Sequence, residues 1–152
     1  MPTLYNPDDH NSRVELAIAL LQKLEACQFQ LEPKEEGTTE KIYYRNINDK
    51  IRVVVYTTIV GHQVRSVGKD AIRICALYKA NDGTERGIVK ETRVNRVGNI
   101  EDITQRVYER MREVWARAGR PLTCLHCGSP VFISVKGNSV CAEFCWKKKE
   151  EK

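Results

Sequence analysis

Asp70-Ala-Ile-Arg-Ile-Cys-Ala-Leu-Tyr-Lys79, continuing into Ala80-Asn-Asp-Gly-Thr84, is the stretch that decides the architecture. Ile72, Ile74, Ala76 and Tyr78 fall on one side of an extended chain, and Arg73, Cys75, Leu77 and Lys79 on the other. That alternation belongs to a strand with one face in a core and the other toward water. Asn81-Asp82-Gly83-Thr84 has hairpin chemistry, because Asn, Asp and Gly tolerate left-handed backbone. The chain is therefore expected to turn straight back into a strand over Arg86–Arg96.

Working outward, Ile51–Val60 is a β-branched run, Lys41–Ile47 carries Tyr43 and Tyr44, and Gln28–Glu32 is a shorter extended piece. Consecutive strands joined by short connections predict an antiparallel meander. A helix is expected on each side of it. Ser12-Arg-Val-Glu15 has capping-box form, and Val14, Ala17, Ile18, Leu21 and Leu24 recur at helical spacing to about Cys27. After Gly98, the residues Ile100, Ile103, Val107, Met111, Val114, Trp115 and Ala118 make an apolar stripe, with Arg106, Arg110, Arg112 and Arg117 elsewhere on the same helix. Gly119 and Pro121 end it. Two amphipathic helices need an apolar surface, and one face of the sheet offers it.

The tail carries the sharpest chemical signal. Cys124, Cys127, Cys141 and Cys145 are spaced Cys-x2-Cys-x13-Cys-x3-Cys. Two close pairs separated by a hairpin-like segment aim four thiolates at one point, as a tetrahedral zinc site requires. Gly128 suits the tight knuckle after the second cysteine. Val131, Phe132, Ile133 and Val135 read as a β-type run, with Lys136-Gly137-Asn138 as its turn. His126 inside the first knuckle is an alternative ligand, although four cysteines already complete the set. Disulfides are the competing reading. Met1–Asp9 has neither a basic n-region nor an apolar h-region, so the expected location is the reducing cytoplasm, where close cysteine pairs hold metal. Cys27 and Cys75 have no close partner and read as small buried side chains.

The fold class is thus α+β: an antiparallel β-meander flanked by an N-terminal and a C-terminal helix in two layers, over residues 1–120. A small zinc ribbon with one structural Zn²⁺ and a basic end follows over residues 121–152. Because the first part has its own apolar faces, Cys124→Ser is expected to unfold the tail and leave that core folded.

Composition excludes some functions. With 41% hydrophobic and 30% charged residues the chain is ordinary for a globular protein, and no apolar run is long enough for a membrane span. The net charge of +5 permits a polyanionic partner without demanding one. With only His10, His62 and His126, no Ser-His-Asp or Cys-His arrangement is suggested. Gly61–Lys69 lacks the glycine spacing of a phosphate-cradling loop. The catalytic set is therefore read as none.

Nucleic-acid binding fits better. The sheet face away from the helices is expected to carry Arg73, Lys79 and Arg93, with Arg65, Lys69 and Arg96 at its ends. Tyr43, Tyr44, Tyr56 and Tyr78 lie on the same strands. Cations along a groove neutralise phosphates and aromatics stack unpaired bases. Trp146 with Lys147, Lys148 and Lys149 offers a second contact. The bland reading is that the tyrosines close the core and the arginines pair with Glu85 and Glu91 on a solvated face.

The tail Cys124-Leu-His-Cys127-Gly-Ser-Pro-Val131 … Cys141-Ala-Glu-Phe-Cys145-Trp-Lys-Lys-Lys149 resembles the C-terminal zinc ribbons of bacterial type I topoisomerases and related DNA-processing proteins. That resemblance covers about residues 122–149 and implies four zinc ligands and nothing catalytic. The helix–meander–helix order, with Asp82-Gly83-Thr84 at a late hairpin, resembles the core of phage and eukaryotic single-strand annealing proteins. This second likeness implies single-stranded DNA in a basic groove and a homo-oligomer. The leading expectation is a small non-enzymatic protein of phage or mobile-element type that binds single-stranded DNA. One alternative is a metal-dependent nuclease using Asp70, Glu85 or Glu91. Another is an adaptor in which the ribbon and Trp146 dock a protein partner.

Overall fold

The computed structural model describes residues 4–32, 40–58, 71–133 and 138–145. Helix α1 (His10–Ala26) leads into a sheet of five strands, β1 (Gln30–Leu31), β2 (Glu40–Asn46), β3 (Ile51–Thr58), β4 (Ile72–Lys79) and β5 (Glu85–Val94). Helix α2 (Ile100–Gly119) and a pair of short strands, β6 (Val131–Ile133) and β7 (Ser139–Cys141), complete the described chain. The large sheet runs β1-β2-β3-β4-β5 with every neighbour antiparallel, so the expected meander is present and the class is α+β.

Strand alternation sets the two faces. Ile51, Val53 and Val55 of β3 and Ile72, Ile74, Ala76 and Tyr78 of β4 share one core cluster with residues of both helices. Helix α2 contributes Ile100, Ile103, Val107, Met111, Val114 and Ala118. Its stripe matches the sequence reading, and Asn99 caps it by accepting the Asp102 amide at 2.8 Å. Trp115, on the margin of that stripe, packs against the core with the Arg45 guanidinium 4.4 Å from its ring centre.

Helix α1 ends where expected, at Ala26 with Cys27 as C-cap, but departs from expectation at its start and in its buried face. It starts at His10 with Asp9 as N-cap, not at Ser12. Ser12 lies buried in the first turn, and its hydroxyl accepts the Asn6 amide at 2.8 Å, so it ties the preceding loop instead of capping. The buried line is Ser12, Leu16, Leu20 and Leu24, rotated from the expected stripe, and Ile18 points outward. At the other end the Phe29 amide donates to the Leu24 carbonyl and the Gln28 amide to the Glu25 carbonyl, both at 2.9 Å. This is a Schellman closure, with Leu24 and Phe29 both buried in the core cluster. Gln28 occupies its left-handed position at φ 67°, where a β-carbon costs about 1 kcal/mol. Gln28→Gly is therefore expected to raise stability by up to about 1 kcal/mol, read as a higher urea midpoint at unchanged slope. A lower midpoint would refute this account of the cap.

The C-terminal strands do not stand apart. Ala142 is fully buried and belongs to the same core cluster, and Phe132 packs against it. Phe132 and Phe144 meet edge to face at 5.9 Å, and the Arg86 guanidinium lies 4.5 Å from the Phe144 ring centre. Arg86 pairs with Tyr78 across β4 and β5, so this module covers the turn-side end of the core. No described helix is long and apolar enough to cross a membrane.

Candidate metal centre and open sheet face

The first knuckle forms because its backbone closes on itself. The Cys124 amide donates to the Ser129 carbonyl at 2.7 Å, and the Gly128 amide donates to the Cys124 carbonyl at 2.9 Å. Gly128 sits at φ 77°, which only a residue without a β-carbon adopts cheaply. The second knuckle is the looser Cys-x3-Cys. It turns tightly, with the Phe144 amide on the Cys141 carbonyl at 3.0 Å, and Phe144 takes φ 49°. The contacts of its ring with Phe132 and Arg86 hold that strained residue in place.

The Val131–Cys141 pairing brings the two knuckles together. The Sγ atoms of Cys124, Cys127, Cys141 and Cys145 all lie within 4.8 Å of one another. Cys124 and Cys145 are 3.6 Å apart, and Cys127 and Cys141 are 3.5 Å apart. A disulfide needs about 2.05 Å, so these are not bonded pairs. A tetrahedron with Zn–S of about 2.3 Å has edges near 3.8 Å, close to both separations. Among the described residues this is the group that gathers three or more metal-type ligands.

Local donors favour thiolate here. The Ser129 hydroxyl and amide pull Cys127 down to about 6, and the Cys127 and His126 amides lower Cys124. Cys145 is pushed up to about 12 by desolvation and by hydrogen bonding with its neighbouring sulfurs. Four thiols at one point cannot all ionise cheaply without a cation. A divalent metal removes that conflict. His126 is exposed, and its amide, not its imidazole, meets the site, donating to Cys124 Sγ at 3.4 Å. Cys75 stays apart as a buried thiol raised to about 11 by its burial.

Inside the second knuckle lies a residue that sequence reading passed over. Glu143 is buried between Ala142 and Phe144, and its carboxylate accepts the Tyr78 hydroxyl at 2.7 Å and the Asn81 amide at 2.9 and 3.0 Å. Lys50 Nζ lies 3.9 Å from the same carboxylate and donates to Asn81 Oδ1 at 2.5 Å. The available signal was a lone carboxylate flanked by apolar residues between two cysteines of the cluster.

On the opposite face of the sheet, Arg73 and Arg93 lie directly across from one another on β4 and β5. The Arg73 guanidinium is 4.8 Å from the Tyr56 ring centre, and its Nε is 3.7 Å from Glu91. Arg52 grips Glu85 through two bonds of 2.7 Å, approaches Glu32 at 3.6 Å and lies 5.5 Å from the Tyr44 ring centre. The four strand tyrosines thus divide. Tyr44 and Tyr56 are on this open face, whereas Tyr43 and Tyr78 are buried on the helix side and offer nothing to a base.

The other expected contacts are dispersed. Lys79 sits at the far end of β4, six residues and about 20 Å from Arg73, opposite Glu85. Arg96 follows β5 and is half-buried. Arg65, Lys69, Trp146, Lys147, Lys148 and Lys149 lie outside the described residues, as does Asp70. Of the carboxylates considered for a nuclease, Glu85 is clasped by Arg52 and Glu91 faces Arg73.

Compared with protein-family models, curated proteins and solved structures, the chain matches none. These comparisons lend no support to the likeness to topoisomerase ribbons or annealing proteins, so the site rests on its own geometry.

Proposed function

We propose that the protein binds single-stranded nucleic acid, DNA in preference, across the open face of its sheet, and that its cysteine module is a zinc ribbon with one structural Zn²⁺. The observation that carries this reading is the Arg73–Arg93 pair. Two cations directly opposite on a sheet, with Glu91 beside Arg73, give a bridging phosphate two charge-assisted contacts. The Arg73 guanidinium over Tyr56 and the Arg52 guanidinium over Tyr44 add flat cationic surfaces on which unpaired bases stack. Zinc held by four thiolates has no open position for water or substrate, so the ribbon stabilises and does not catalyse.

The test is a titration of labelled single- and double-stranded oligonucleotides at two salt concentrations, with and without Mg²⁺. Arg73→Ala with Arg93→Ala is expected to weaken single-strand binding on the order of tenfold and to reduce the log–log salt slope by about 1.4. Unchanged binding in the double variant moves the contact off the sheet. Cleavage in Mg²⁺ that disappears with Glu85→Ala or Glu91→Ala replaces this reading by the nuclease. A second reading, a protein-docking adaptor, is favoured by Leu122 and Leu125, which are 72% and 100% exposed beside the first knuckle. It gains ground if no oligonucleotide binds at low salt.

A further inference from the structure

We infer that Glu143 is a latch that couples metal occupancy of the four-cysteine centre to the β4–β5 turn of the core. The inference rests on the zinc reading above.

Burying a carboxylate is costly unless donors replace its water, and Glu143 is buried. Groups of the core that meet it include the Tyr78 hydroxyl, the Asn81 amide and the Lys50 ammonium. Lys50 comes from the β2–β3 turn, and Tyr78 and Asn81 from the end of β4 and its turn. Lys50 also stands 5.7 Å from the Tyr78 ring centre and bonds the Asn81 side chain, so these groups form one connected set. Glu143 itself is two residues after the ligand Cys141 and two before the ligand Cys145.

A metal that pins both cysteines fixes the backbone between them and aims the carboxylate at these partners. In the other direction, a docked Glu143 holds Cys141 and Cys145 at their ligand spacing before metal arrives. Groups outside the ligand sphere that orient ligands in this way commonly set metal affinity. Because binding couplings are reciprocal, whatever Glu143 adds to zinc affinity, zinc adds to the docking of Glu143 on the core. The free Asn81 amide, once released, meets water.

Two measurements on the full chain test this: zinc affinity by competition with a chromophoric chelator, and hydrogen exchange of the Asn81 amide with and without zinc. Wild type is expected to bind one zinc, and zinc is expected to slow Asn81 exchange by tenfold or more. Glu143→Ala is expected to weaken zinc binding about 10–100-fold and to abolish the effect of zinc on Asn81. Glu143→Gln keeps an acceptor for Asn81 and is expected to recover part of both. Tyr78→Phe removes one donor while keeping the ring; because the Tyr78 hydroxyl also meets Ser129 of the first knuckle, it is read through Asn81 exchange, whose slowing by zinc is expected to weaken, beside a several-fold loss of zinc affinity. Unchanged zinc affinity in both Glu143→Ala and Tyr78→Phe, or Asn81 exchange indifferent to zinc in a zinc-binding wild type, overturns the latch alone. A wild type that binds no zinc overturns the zinc reading and the latch with it.

Discussion

Stripping zinc from this protein is expected to destabilise more than the cysteine module. Metal analysis should find one zinc per chain, and a strong chelator or Cys141→Ser should remove it. In small zinc modules the metal supplies an apparent 10–16 kcal/mol, so a segment this short has no independent means of staying folded. Taken from sequence alone, its loss unfolds the tail and leaves residues 1–120 folded. The packing argues for a wider effect. Ala142 lies in the common core, Phe132 packs on that core, and Glu143 satisfies Tyr78 and Asn81. Hydrogen bonds to a charged group contribute about 1.5–3 kcal/mol, and for a chain of this size each kcal/mol moves Tm by about 2–4 °C. The helix–sheet core should therefore still fold without zinc, but with Tm lowered on the order of 5–10 °C. A core transition unmoved by the chelator would mean that the module sits on the core without supporting it. Native disulfides among the four cysteines would remove the metal site altogether.

How much of this was legible beforehand depended on the period of each pattern. The β4 alternation and the Asn81-Asp82-Gly83 turn implied the hairpin, and the neighbouring β-branched runs implied the meander, because period two is hard to imitate by chance. The α2 stripe was equally plain, since arginines and glutamates separate its apolar positions. The cysteine spacing was legible because ligand chemistry restricts residue type and distance together.

What was not legible required register or packing. Tyr43 and Tyr44 are neighbours in sequence and face opposite sides of the sheet, and only the pairing of Tyr43 with Val55 places the first in the core. Arg52 was a cation within a hydrophobic run until its clasp on Glu85 appeared. Glu143 meets partners 62 and 65 residues away, a separation no local pattern encodes.

The α1 face is the clearest case, and it can be tested directly. Its sequence is apolar on several sides, so Val14, Ala17, Ile18 and Leu21 lead to Leu24 on paper as well as Leu16 and Leu20 do. In the fold Leu20 is 3% exposed within the common core, whereas Ile18 is 47% exposed. Leu20→Ala removes three buried heavy atoms from a packed site and leaves a void that neighbouring side chains only partly fill. The expected cost is about 2–5 kcal/mol, a large share of the roughly 5–15 kcal/mol that holds a domain together. Ile18→Ala gives up little burial and gains helix propensity, so it is expected to stay within about 0.5 kcal/mol of wild type. Both are read from urea denaturation at constant slope. Equal costs for the two changes, or a larger one for Ile18, would mean that α1 is rotated about its axis from the position described and that the sheet is covered by the other stripe.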